Sequence, residues 1–425
     1  MKNAQLSLEN EDSKSYFGWK ILFVCVVGMM FSPGPLMYGT LGVMLLPLQQ
    51  EYSWGRSELM LGLTIFTLSP ILVAPFIGRL IDCLGVKKVL IPSIALMGLA
   101  LAVVPLSLHS LNVFYTLTFI AGVASTGAQS IAYVRLLSSW FNKRRGISIG
   151  IAASGMGLGY MVMPVLAQSV LNITDWQTTY YTLAALVMLI ALPLVSFIIR
   201  NEPDDRNITV TVRPMLSGLL AGEALRKRNF WLMCAGISIM SAFLTGLLPH
   251  IVPLLKDRGL TATMAASAAG FMGLATFFGR ILVGYLLDRF FAPHIAIFFF
   301  FLAALGLGIL IDADTMPLQL LAIFLIGLGF GAESDLIGYL VGRYFGLKSF
   351  AQIYGYVLAG FLLGAGIGPY MLGLSFEHWG SYQHILAIGC GMSIFSCLLF
   401  SLMSPYPTHE SSDSKEVKIN KVINT

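Results

Sequence analysis

The sequence predicts an all-α integral membrane protein, with twelve transmembrane helices forming two pseudo-symmetric six-helix bundles. Of its 425 residues 56% are hydrophobic and 11% charged, whereas a soluble domain carries about 25% charged residues. That is too little charge to cover a water-facing surface, so a soluble multidomain protein is excluded. The apolar residues fall into runs long enough to cross a bilayer, which takes about 20 residues each. Lysine and arginine then sort between alternate loops, as an even number of spans requires.

Taken in order, helix 1 covers 19–46 and follows a polar tail, 1–18; no small-residue cleavage site follows its apolar run, so it is read as an uncleaved span interrupted by Ser32-Pro33-Gly34-Pro35. Helices 2 (57–79) and 3 (88–108) flank a short basic loop. Helix 4 (112–140) and helix 10 (317–345) exceed the spanning length and are expected to tilt or emerge from the bilayer. Helices 5 (146–170) and 11 (350–375) are rich in glycine, which lets helix backbones approach. Helices 6 (175–199), 9 (293–311) and 12 (382–404) are plain apolar runs, helix 8 (262–287) carries Arg280, and helix 7 (230–255) carries Pro249-His250-Ile251-Val252-Pro253. The one long charged interior stretch, 200–229, divides the chain into bundles at 19–199 and 230–404, with a C-terminal tail at 405–425.

Of the 26 lysines and arginines, 21 lie in the two tails, the central linker and the loops on one side. The opposite loops hold only Arg56, Lys256 and Arg258, and Arg135 and Arg280 lie inside helices. By the positive-inside rule the basic side, with both termini, is expected in the cytoplasm. The expected location is the plasma membrane, or the inner membrane of a Gram-negative cell. The net charge of +5 reports orientation and not a nucleic-acid partner. None of the five cysteines forms a C-x-x-C pair, so neither metal nor cofactor is expected.

The two halves repeat. Gly78 and Asp82 stand four apart at the end of helix 2, followed by Gly85, Lys87 and Lys88; Gly284 and Asp288 stand at the same spacing, 206 positions on, at the end of helix 8. Gly127-Ala128-Gln129-Ser130 precedes Trp140-Phe141 in helix 4, and Gly331-Ala332-Glu333-Ser334 precedes Tyr344-Phe345 at the same spacing in helix 10. The first loop matches G-x-x-x-D-x-x-G-x-[RK]-[RK] at every defined position, and on that motif the chain resembles the major facilitator superfamily. Gly18-Trp19, the run Trp140-Phe141-Asn142-Lys143-Arg144-Arg145-Gly146, and Gly279-Arg280 are similar to its monocarboxylate transporter and oxalate-formate antiporter branch. The helix 11 lysine of oxalate transporters is missing, an apolar residue standing near Phe361, and so is the drug-antiporter arginine of helix 4. The resemblance implies two bundles rocking about a central site, with the helix 8 arginine binding a substrate carboxylate.

Residues required only for folding should recur in both halves, and Gly78/Gly284 and Asp82/Asp288 do. They are read, with Gly85, Lys87, Lys88 and Arg135, as gating or structural groups, a helix-end cap being the simpler role for the aspartates. Arg280 and Glu333 do not recur, their partners by offset being Ala74 and Gln129. Charges inside a membrane helix cost at least about 2.5 kcal/mol each and should not face lipid. Arg280 is therefore assigned to substrate binding, its planar fork suiting a carboxylate, with an ion pair to a helix 10 acid as the structural alternative. Glu333 and Asp335 lie about 200° apart around helix 10; one is expected in the cavity and the other against a neighbour, and both are candidates for proton coupling. His250, Tyr38 and Tyr354 complete the proposed substrate set, although for His250 a surface position is the reading the sequence favours.

These residues point to a secondary transporter for a small organic anion, monocarboxylate-like and proton-coupled, acting as a monomer in the bilayer. A larger anion, such as a carboxylate siderophore or an aromatic acid, is the alternative, with room left by Gly122, Ala124, Ser125 and Gly127 on helix 4. A membrane receptor without transport is the alternative of another class. H-E-x-x-H, G-x-S-G and Walker A motifs are all missing from the sequence, so the chain is not expected to be an enzyme or an ATP-driven pump.

Overall fold

The computed structural model describes residues 16–107, 110–141, 144–199, 218–346 and 348–406. The N-terminal tail to Ser15, Lys143, the linker residues 200–217 with Asp204 and Asp205, the C-terminal residues 407–425 and the Asp82 side chain lie outside this description.

Among the described residues twelve helices are long and apolar enough to span a bilayer. They are α1 (Phe17–Tyr52), α2 (Arg56–Leu84), α3 (Val86–Ser107), α4 (Leu111–Trp140), α5 (Arg145–Leu171) and α6 (Trp176–Ile198) in the first bundle. The second holds α7 (Arg228–Asp257), α8 (Ala262–Leu287), α9 (Ala292–Ile311), α10 (Met316–Phe345), α11 (Phe350–Trp379) and α12 (Gln383–Ser401). In hydrocarbon each backbone N–H and C=O must be satisfied within the segment, which is why apolar runs of this length become helices. Their ends carry local stop signals: Gly85, Gly259, Gly346 and Gly380 take positive φ at loops, a conformation that costs glycine little. At the start of α6 the Asp175 side chain accepts from Thr178 N–H at 2.7 Å, which holds its carboxyl below the usual carboxylate range.

The sequence placed most boundaries within a few residues, but α1 runs further at its C-terminal end than the apolar run suggests, through Gln49 to Tyr52. The predicted breaks are real. Span α1 is interrupted at Phe31-Ser32, with Pro33 opening its second segment, and α7 passes through a short 3-10 turn, Leu248–His250. A further break was not foreseen: α4 is interrupted by a 3-10 turn, Thr126–Ala128, whereas the corresponding stretch of α10 is continuous. The repeat in sequence therefore covers two different backbones.

At the basic end of each bundle an aromatic clasp ties its first helix to its fourth. Tyr16 and Trp19 meet Phe141 edge-on at 5.5 and 5.2 Å between ring centroids, Phe17 lies against Trp140, and the Tyr16 hydroxyl donates to the Trp140 carbonyl. In the second bundle Phe230 meets Phe345 at 6.1 Å. Tyr344 and Phe291 hold Tyr406 between them, at 5.1 and 4.7 Å.

The bundles meet along α2 against α11 and α5 against α8. Between lipid-facing helices no hydrophobic force drives association, so close contact depends on small residues. A Cβ on Gly273 would lie 2.2 Å from the Met161 nitrogen, and one on Gly157 3.0 Å from the Phe277 Cα. Thr64 donates to the Gly366 carbonyl at 2.6 Å and Tyr38 to that of Ala365 at 3.2 Å. Toward the basic end the picture reverses, since a Cβ on Gly78, Gly146, Gly150, Gly284 or Gly355 would have no atom within 4 Å. The molecule is closed at its charge-poor end and open at its basic end.

Candidate functional site

The central site begins with a backbone contact. A Cβ on Gly279 would lie 2.7 Å from the Leu328 carbonyl oxygen, and one on Gly331 would lie 2.5 Å from that of Thr276. These two glycines bring α8 and α10 together and fix their register, so the residue after Gly279 faces the residues following Gly331. Arg280 is thereby seated against Ser334 and Asp335.

The Arg280 guanidinium donates to Asp335 Oδ1 at 3.1 Å and to Ser334 Oγ at 3.1 Å, and Ser334 Oγ lies 3.3 Å from the same aspartate oxygen. Its side chain is nearly buried, at 8% exposure, while that of Asp335 is 33% exposed. The Arg280 Nε is buried with no hydrogen-bond partner among the described residues. Glu333 is fully buried, and neither of its carboxyl oxygens has such a partner. The two helix 10 acids thus divide as their angular separation requires. Asp335 is the arginine's counter-ion at the edge of open space, and Glu333 lies in the interior within electrostatic reach of the arginine.

Tyr160, which the sequence reading missed, belongs to this site. It packs edge-on against Phe330 at 5.4 Å and lies within electrostatic reach of Arg280, Glu333 and Tyr38. Its hydroxyl fits over Gly34 in the α1 break, where a Cβ would lie 2.7 Å away. Gly34 was the available signal, a glycine between two prolines with no turn to make. Tyr38 is buried and bonded to Thr67 at 2.6 Å, and Tyr354 lies near Asp335 and Arg280, stacked on Phe350.

His250 is not with them. It is fully buried at the charge-poor end, so the surface position favoured by the sequence is corrected: its ring is held by Tyr382 and by the Pro369 carbonyl. Two of the small residues of α4, Gly122 and Gly127, do not border open space either. A Cβ on Gly122 would lie 2.1 Å from Ser69 Oγ and one on Gly127 2.3 Å from Ser93 Oγ, so these positions pack α4 against α2 and α3. Arg135, Lys88 and Asp288 are exposed at or near the basic end, Lys87 is half-buried there, and Gly85 ends α2 at φ 85°.

The sequence reading also missed a cluster that closes the charge-poor end. Arg56 of α2 grips Asp257 of α7 with both terminal nitrogens, at 2.6 and 3.1 Å. It donates to the Tyr382 hydroxyl at 2.9 Å and to Gln49 Oε1 at 3.3 Å, and it stacks on Phe376 at 3.7 Å. Beside it the Glu377 carboxylate of α11 accepts from the N–H and hydroxyl of Ser57, at 2.9 and 2.6 Å. The signal was the charge census, in which Arg56 is one of only three cations on that side.

Two bundles closed at one end, with an arginine and two acids at the centre, define a membrane carrier of the two-bundle type. The chain belongs to the Major Facilitator Superfamily, whose description matches residues 21–357. It is 24% identical over 297 residues to the uncharacterized MFS-type transporter YhjX of Escherichia coli K12, covering 68% of this chain and 71% of that protein. Against the uncharacterized MFS-type transporter YcxA of Bacillus subtilis the identity is 23% over 247 residues, covering 57% and 59%. The MFS-type transporter pytF of Aspergillus terreus is 24% identical over 217 residues, covering 50% and 70%.

Proposed function

We propose that this chain is a secondary active transporter that carries a small, monocarboxylate-like organic anion together with protons by alternating access. The basic end faces the cytoplasm, so the state described above is open inward. The observation that supports the reading is the partial occupancy of Arg280, which uses one oxygen of Asp335 and one hydroxyl while its Nε–H stays unpartnered. A carboxylate arriving from the open side finds a guanidinium edge ready for it and displaces the exposed Asp335. Glu333 stays protonated throughout, because a buried carboxylate without donors pays heavily for its charge, and the displaced Asp335 takes up the proton that travels with the substrate. Arg280 balanced by Asp335, or by substrate with Asp335 protonated beside it, then gives the two neutral states able to cross.

The test is counterflow in proteoliposomes with labelled lactate, pyruvate and acetate, using dicarboxylates and iron chelates as comparators, with and without a pH gradient. Monocarboxylates should exchange and accumulate with the proton gradient. Removing one partner of a buried hydrogen-bonded charge pair costs about 2–5 kcal/mol, so Arg280→Ala should bring counterflow to background. Retained counterflow in that variant would overturn the clamp.

A further inference from the structure

The closure at the charge-poor end contains a titratable side chain that the central site does not use. His250 sits in the 3-10 turn of α7, fully buried, with Nε2 2.8 Å from the Pro369 carbonyl of α11 and Nδ1 2.9 Å from the Tyr382 hydroxyl. A carbonyl can only accept, so Nε2 carries a hydrogen. In the neutral ring Nδ1 is then a bare acceptor and the Tyr382 hydroxyl donates to it. That leaves the hydroxyl oxygen to accept from Arg56 at 2.9 Å. Each donor in the chain from Arg56 through Tyr382 and His250 to Pro369 meets one acceptor, and the chain runs from the first bundle into the second.

A second proton on the ring breaks this order. Nδ1 becomes a donor, Tyr382 must accept from both sides, and its own hydrogen has to turn toward Asp257, competing with Arg56, or go without an acceptor in a buried site. The imidazolium also adds a like charge beside the guanidinium. Of the charged groups on the elements around His250, only the Arg56 guanidinium lies within electrostatic reach of the ring. Asp257 is gripped by Arg56, and Glu377, though uncompensated by a cation, is turned to Ser57. On α1, Gly42 packs against the Pro249 carbonyl and the network residue is the neutral Gln49; Lys256, next on α7, is a further cation.

We propose that His250 is a proton-binding site built into the lock, and that a proton at Nδ1 releases the charge-poor end. The open form returns the ring to water, where histidine titrates near neutral pH. Low pH therefore favours opening at this end independently of which substrate the central site takes.

Hydrogen–deuterium exchange of the full-length protein in lipid nanodiscs tests this without transport. The readout is the ratio of exchange between wild type and His250→Gln at each pH, in peptides covering 53–60 and 376–384, so that intrinsic exchange chemistry cancels. Glutamine keeps a donor for Pro369 and an acceptor for Tyr382 but does not titrate. Opening in the wild type should grow by up to about tenfold per pH unit on acidification, the slope of a single linked proton, while His250→Gln should stay flat and closed. Tyr382→Phe, which keeps the ring packing and removes the relay, should also lose the pH slope. Equal pH dependence in wild type and either variant, or a flat wild type, would overturn the proposal.

Discussion

Two arginine–aspartate pairs lie at different depths of this molecule, and they differ in how fully the arginine is satisfied. Arg56 uses Nε and both terminal nitrogens on Gln49, Asp257 and Tyr382 and stacks its plane on Phe376. Arg280 uses two terminal nitrogens and leaves Nε buried without a partner. A saturated guanidinium holds two parts together, whereas an unsaturated one invites another ligand. The first pair joins the bundles and the second lies within one, so only the first has to break when the closed end opens.

The sharpest way to break the comparison is at the saturated pair. Arg56→Ala leaves Asp257 without its cation and removes a donor from Gln49 and Tyr382. Loss of one partner of a buried pair costs about 3–5 kcal/mol, and because Asp257 is a third exposed the lower end applies. Opening at the charge-poor end, read by exchange in 53–60, should rise by about two orders of magnitude; unchanged exchange would show the lock idle. Next in size, Asp335→Asn should leave counterflow within a few-fold of wild type and abolish accumulation against a pH gradient. Loss of both activities together would make Asp335 structural. The smallest effect separates the two ends sterically. Gly273→Ala should destabilise the described state by about 1–3 kcal/mol through overpacking, while Gly284→Ala, with open space around it, should stay within about 0.5 kcal/mol. Thermal unfolding of both variants in detergent reads the difference.

The twelve spans and the α1 and α7 breaks were legible because bilayer length, charge asymmetry and proline act locally. Arg280 was legible too, since an uncompensated charge in an apolar run is expensive wherever its partner lies. The assignment of Asp335 to the counter-ion and Glu333 to the interior was not, because it depends on the rotation of α10 set by Gly279 and Gly331. The lock escaped the reading for a related reason. Arg56, Asp257, Glu377 and Tyr382 stand at four separate helix ends, where a charge looks ordinary until the bundles are brought together. His250 misled in the opposite direction, since a histidine between prolines near a helix end reads as exposed when the other bundle has not been placed over it.

The aromatic clasps bear on how the chain is made. Tyr16 and Trp19 find Phe141 once the fourth helix has been threaded into the membrane, and Phe230 finds Phe345 once the tenth has followed. Each clasp closes within its own half, so the first bundle can be finished before the second leaves the ribosome. A nascent chain arrested before residue 200 already holds every ring of the first clasp, and its protection from protease can be followed without the rest of the protein.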